Sequence, residues 1–338
     1  MPPKPRSVSK EKPKSGLLEA LKFCSVVSEK NGAVYETHIE LRNNWAIAFN
    51  GIVAAGSPIS EDILCYPHNL LLIEALSKCD NNFSLTQLDN GRLSIKSGKF
   101  KAVVLCLDPD LMQKAEPDPQ IVGITNAFKE AVDAVGVLAS TSGQHVLTHS
   151  VLMNGPSVIA TNRVMLVEYW HGLDLPPNVP LPKEFITALV KCKKNLTGFG
   201  YSRSSATFWF EDGSWLRTQL YSDEWPDVSR ILNRKANLWS IDPNFFKALD
   251  AIAPFSEDGN AYSDLNLLKS HADDGAGASY ECSGIPRGFV YPIKQLLIMK
   301  PYAKRIDYMA NGLHNSSYCL VFEGDFMRGV ISGREKPE

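Results

Sequence analysis

Apolar residues along this chain follow two spacings that alternate three times. Three segments carry apolar positions at helical spacing behind a proline: YPHNLLLIEALSKC at 66–79, LPKEFITALVKCKK at 181–194 and YPIKQLLIMKPYA at 291–303. Proline suits a first helical turn, where its missing N–H is not needed. Pro67, Pro182 and Pro292 stand 115 and 110 residues apart. A second helix precedes each one: GLLEALKFCSVVSEK at 16–30, TNAFKEAVDAVGVLAS at 125–140 and DPNFFKALDAIAPFS at 242–256. Ser15, Thr125 and Asp242 are placed to cap them. Aligning Ala20, Ala131 and Ala248 gives separations of 111 and 117. Two independent landmarks thus give nearly the same repeat.

Around the helices the pattern changes to period two, the mark of half-buried strands. The first repeat has YETHIELRNN and WAIAFNG, then FSLTQLDNGRLSIKSGKFKAVVLCLD, with Asn90-Gly91 as a hairpin signal. The second has HVLTHSVLMNGPSVIATNR, turning at Asn154-Gly155, and closes with GFGYSRSSATFWFEDGSWLRTQLYS. Here His145 and His149 fall on one face of a predicted strand. The third closes with RIDYMANG and SYCLVFEGDFMRGVISG, turning at Glu323-Gly324-Asp325. Each repeat reads helix, strands, proline-started helix, strands. That predicts an α+β fold with helices collected on one face of a curved antiparallel sheet. It predicts three domains, over 15–110, 120–232 and 238–334, joined near 108–120 and 232–240. Residues 1–14 are rich in Pro, Ser and Lys and predict a disordered basic tail.

Composition changes this picture little. The chain is 44% apolar and 21% charged, as in ordinary globular proteins, and its net charge of −2 excludes a polycation. Contact with nucleic acid would need a local basic surface. One candidate is helix 181–194. Leu181, Phe185, Leu189 and Cys192 form its apolar face, while Lys183, Lys191 and Lys194 line the opposite stripe without a carboxylate. Lys22, Lys30, Lys129, Lys247 and Lys294 lie on the other helical segments. Lysine in the helices of all three repeats points to a shared surface for phosphates, blind to sequence.

Catalytic chemistry is thin. Seven cysteines without a C-x-x-C pair read as reduced thiols of a cytoplasmic protein, and no Cys/His cluster has zinc-ligand spacing. Asp108 with Asp110, and Asp273 with Asp274, lie in predicted loops where acidic turns are common. There is no phosphate-binding glycine loop, nucleophile elbow or H-E-x-x-H. The expectation is a protein that is not an enzyme and needs no metal or cofactor. No apolar run is long enough to span a membrane, and the N-terminus lacks the apolar core of a signal peptide.

The ordered set of motifs resembles the bacterial DNA polymerase sliding clamp, the beta subunit family of DNA polymerase III, over about residues 15–334. SVIATNRVMLVEY is similar to that family's Thr-Asp-Gly-His-Arg-Leu turn, VPLPKEFITALV to its proline-started helix, and FEDGSWLRTQLYSDEWPDVSRIL to its hairpin and Phe-Pro-Asp-Tyr segment. LSIKSGKFKAVVL in the first repeat resembles its Ser-Gly hairpin. The resemblance implies three clamp domains per chain, each with two helices inside a ring and sheet outside. It implies a head-to-tail homodimer around duplex DNA that tethers polymerase. It also implies a pocket for short peptides of polymerase, clamp loader and repair proteins, walled here by Thr161, Leu166, Pro226 and Ile231, with Thr148 and Val330 nearby. Asn162, Arg163, Val164 and Met165 replace the family's Asp-Gly-His-Arg, which puts bulk and charge beside the pocket and removes one expected DNA contact. The trailing GREKPE is placed to cover part of the pocket. Such departures suggest a phage or mobile-element version. Ring closure would pair edges near 100–107 and 261–269. The alternative is a clamp-like interaction protein that does not encircle DNA and competes for clamp-binding partners.

Overall fold

Gly56 lies against the buried indole of Trp215, so close that a Cβ there would come within 2.2 Å of the ring. This contact sits where strand Val53–Pro58 pairs antiparallel with strand Trp215–Gln219, matching Gly56 with Trp215. The pairing joins the first repeat to the second half of the middle repeat in one continuous sheet. A computed structural model describes residues 7–8, 15–28, 32–89, 91–140, 145–272, 276–312 and 318–334. Lys30, Asn90, Asp273, Asp274 and most of the expected tail and of GREKPE lie outside these residues.

The chain divides into two units. The first holds residues 1–130 and 181–222, the second residues 131–180 and 223–338. The middle repeat is therefore shared between them. In the first unit a seven-stranded antiparallel sheet runs in the order Glu40–Arg42, Trp45–Phe49, Val53–Pro58, Trp215–Gln219, Ser205–Phe210, Leu196–Tyr201 and Val122–Gly123. A four-stranded sheet runs Ser7–Val8, Ser84–Leu88, Arg92–Ser97 and Phe100–Leu105. Helices Ser15–Cys24, Asn69–Ser77 and Lys183–Lys191 turn their apolar faces inward, burying Leu17, Leu21, Leu72 and Phe185. Phe128 and Phe185 pack on Phe208 at centroid distances of 5.3 and 4.8 Å.

The second unit repeats the plan. Its large sheet includes, in order, Ser150–Asn154, Ser157–Thr161, Met165–Trp170, Met327–Ser332, Tyr318–Glu323, Arg305–Asn311 and Trp239–Ser240. The edge strand Val179–Pro182 precedes Ser150–Asn154 and carries the chain out of this unit. Its small sheet runs Ser279–Glu281, Leu267–Lys269, Asn260–Asp264 and Val290–Pro292. Helices Phe245–Ile252 and Ile293–Met299 bury Phe245, Leu249 and Leu296. The Tyr291 hydroxyl donates to the Tyr308 carbonyl at 2.6 Å.

Several expectations are corrected in detail. Pro182 and Pro292 are N-caps that also end the preceding strand, so each proline marks the switch from strand to helix. Residues Val146–His149 form a helical turn rather than a strand, with the His149 amide donating to the His145 carbonyl at 3.1 Å. Asn260–Asp264 and Leu267–Lys269 are interior strands, paired on both sides, so 261–269 is no sheet edge; Phe100–Leu105 is one. The expected linker near 108–120 is packed down. The buried Asp118 carboxylate accepts from Ser205 Oγ at 2.8 Å and Thr207 Oγ1 at 2.8 Å, and Ala115 is buried against Trp215.

Candidate functional site

The segment SDEWPDVSRIL is tied to the sheet at Trp225 and capped locally at Asp227. Trp225 Nε1 donates to Ser150 Oγ at 2.8 Å. Asp227 Oδ1 accepts from the Ser229 amide at 2.9 Å and opens the helical turn Ser229–Leu232. Trp225, Val228 and Ile231 then lie on a buried cluster of Leu152, Ile159, Leu166 and Leu232. The segment therefore walls a cavity as well as leading out of the middle repeat.

Strand register supplies the floor. Thr161 pairs with Leu166, Leu166 with Val330, and Val330 with Val321, one row across four strands. Side chains in such a row share one face of the sheet. With Ile231 above them, Thr161, Leu166 and Val330 line a cavity of about 460 Å³. Four of the six expected wall residues thus meet. Thr148 does not line the cavity; its neighbour Leu147 does. Pro226 lines an adjoining groove of about 410 Å³, together with Trp225, Asp227 and the ion pair of Glu168 with Arg328 at 2.7 Å.

The turn at the cavity rim is self-contained. Asn162 Oδ1 accepts from the Val164 and Met165 amides at 3.1 and 2.8 Å, and Thr161 Oγ1 accepts from the Arg163 amide at 3.1 Å. This holds Arg163 in the left-handed region at φ 72° with its side chain exposed. Met165 is buried and lines the cavity, so apolar packing replaces the basic contact expected at that position. Arg234 reaches in from the segment after Leu232. Its Nη1 donates to the Asn311 carbonyl at 2.7 Å and to Cys319 Sγ at 2.9 Å. Burial pushes the Cys319 thiol pKa up, and the Arg234 charge offsets part of that rise. Arg234 was hidden from sequence reasoning because it falls in a predicted linker, and only the folded register brings it to the cavity.

The lysines divide by what holds them. Lys191, Lys247 and Lys294 are exposed and form no ion pair among the described residues. Lys183 is half-buried at the start of its helix. Lys22 is exposed and pairs with Glu19 at 3.0 Å. Lys129 donates to the Cys192 carbonyl. Lys194 bonds to Asp212 at 2.5 Å and sits 4.0 Å over the Phe23 ring. These partners engage Lys129 and Lys194 within the protein. Asp108 Oδ1 accepts from the Asp110 amide at 3.0 Å, a local turn cap. No cluster of three or more metal-ligating side chains occurs among the described residues.

No family model and no curated protein matches the sequence. Solved structures do match. The DNA polymerase sliding clamp of Pseudomonas aeruginosa with ligand aligns over 96% of this chain and 98% of its own, with a TM-score of 0.77 at 15% identity. The Helicobacter pylori beta clamp bound to a DNA ligase peptide aligns over 96% and 99%, with a TM-score of 0.76 at 16% identity. The beta subunit from the DNA polymerase of Streptococcus pyogenes aligns over 96% and 99%, with a TM-score of 0.78 at 13% identity. The chain has the bacterial sliding-clamp fold. It is an α+β fold of tandem clamp domains, and it is reached here by a sequence far from those neighbours. In this clamp fold the cavity of the second unit is built by the middle and last repeats together.

Proposed function

We propose that this chain is a DNA sliding clamp, a tether without catalytic activity that keeps a polymerase on duplex DNA in the cytoplasm. The clamp fold over nearly the whole chain is the observation that carries this reading. In it, clamp domains 15–110, 120–232 and 238–334 from two copies make a six-domain ring. The exposed Lys191, Lys247 and Lys294, with Lys22 and Lys183, face the phosphates. Few and long-reaching contacts suit a ring that must slide, because each phosphate neutralised adds affinity whatever the sequence. The net charge of −2 fits such sparing contact. The cavity at Leu166, Ile231 and Val330 takes a short apolar peptide of polymerase or clamp loader, as apolar surface in a cleft does in peptide recognition.

Light scattering over a dilution series, followed by primer extension on a circular template, tests the reading. A stable species of twice the 37.3 kDa chain mass, with extension lengthened only after loading onto the circle, is the expected result. A strict monomer that still captures clamp-binding peptides would instead fit a competitor that does not encircle DNA.

A further inference from the structure

Three arginines of the second unit stand in ion pairs. Arg328 meets Glu168 at 2.7 Å, Arg305 meets Glu323 at 2.9 Å, and Arg287 meets Asp264 at 2.5 Å. Arg163 and Arg234, like Arg230 and Arg334, form no ion pair among the described residues, and these two line the apolar cavity. No carboxylate lines it with them. Arg234 is half-buried and donates to two neutral acceptors, a carbonyl and a thiol. Arg163 stands at the apex of a turn whose hydrogen bonds come from Thr161 and Asn162, so its guanidinium is not needed to hold the turn. Two positive charges thus border an apolar cavity without an acidic partner among the described residues. A partly desolvated guanidinium gains most from an anion that reaches it, and the planar fork fits a carboxylate with two parallel bonds.

We propose that the cavity selects short apolar segments carrying a carboxylate beside their anchor residues, with Arg163 as the specificity-determining residue and Arg234 as a fixed second charge. The inference rests on reading the cavity as a peptide site. Charge complementarity commits it to an acidic partner segment over a neutral or basic one. The position of Arg163 also makes the test clean. Glycine adopts its left-handed backbone without strain, so Arg163→Gly removes the charge while easing the turn.

The experiment measures anisotropy of four labelled heptapeptides with two central leucines, carrying Asp before, Asp after, Asn before or Asn after the leucines. Full-length protein is titrated at low and high salt. One Asp peptide should bind about tenfold tighter than its Asn counterpart, with the gap narrowing as salt rises. Arg163→Gly should bring the pair to within about twofold by weakening the Asp peptide, and Arg163→Glu should invert the preference. Ile231→Asp should abolish binding of all four. Equal binding of Asp and Asn peptides by the wild type would overturn carboxylate selection and leave the peptide site standing. A preference that survives Arg163→Gly would overturn the role of Arg163. Failure of every peptide to bind would sink the peptide site itself, and this inference with it.

Discussion

Single side chains decide whether the two inter-repeat sheets can form. At Gly56, any Cβ collides with an indole that is itself fully buried, so neither partner can retreat. Gly56→Ala should therefore lower stability by about 2–3 kcal/mol, the scale of an overpacked core, read as a fall in urea midpoint without a change in slope. His171 gives a second handle. Burial pushes its pKa down to about 4, and its Nδ1 accepts from the Leu173 amide at 3.1 Å, which requires the neutral ring. The unfolded ring titrates near 6.5. Between pH 6.5 and 4 the unfolded chain binds more protons, so stability should fall as pH drops through that window. Urea midpoints at pH 7 and pH 5 should differ less in His171→Gln than in the wild type. An equal pH slope in both would remove His171 as the cause.

Among elements, the helices were legible because their apolar spacing is sustained; Pro182 and Pro292 mark the starts of theirs, while the helix expected behind Pro67 begins at Asn69 with His68 as its N-cap. Val146–His149 misled because four residues hold too little period to separate helix from strand. The linker at 108–120 was misread for a different reason. Its prolines and acids look solvated, yet Asp118 is buried and bonded to two hydroxyls of the sheet. Asp118→Ala should leave Ser205 and Thr207 short of an acceptor and Arg217, 3.9 Å away, without its nearest carboxylate. A loss of about 2–4 kcal/mol is expected, with proteolysis of the native protein appearing first near residue 118. A loss under about 0.5 kcal/mol would return this segment to the status of a loose linker. The cavity was legible at Thr161, Leu166, Ile231 and Val330 only through the family resemblance. Leu147 and Arg234 carry no local signal, since their place depends on strand register and on how the chain runs after Leu232. Lys129 and Lys194 show the same limit. Their partners, the Cys192 carbonyl and the Phe23 ring, come from other elements.

At the scale of the whole molecule, the ring reading turns on an edge. Strand Phe100–Leu105 has one strand neighbour among the described residues, Arg92–Ser97, gives up its far side only at its end, where the Leu105 carbonyl accepts from the His68 amide at 3.2 Å, and leaves Val103 and Leu105 47% and 62% exposed. An edge strand with unpaired amides and apolar side chains invites pairing with another chain, and monomeric proteins usually guard such edges with charge or bulges. In the other small sheet the matching edges are Ser279–Glu281 and Val290–Pro292. If copies close head to tail through the Phe100–Leu105 edge, charge placed there should open the ring without touching fold or cavity. The double variant Val103→Lys, Leu105→Lys should run as a monomer at concentrations where the wild type is dimeric. It should slip off circular primed DNA and still bind the acidic peptide with wild-type affinity. Retained peptide binding matters, because a variant that merely unfolds would lose both properties. A double variant that stays dimeric would show that closure uses another surface. A wild type that is already monomeric, yet binds peptide, would transfer the weight to the competitor reading. In either case the exposed lysines supply an independent check. Retention of a true ring on a closed circle is topological and should persist at salt concentrations that strip a merely charge-bound protein from DNA.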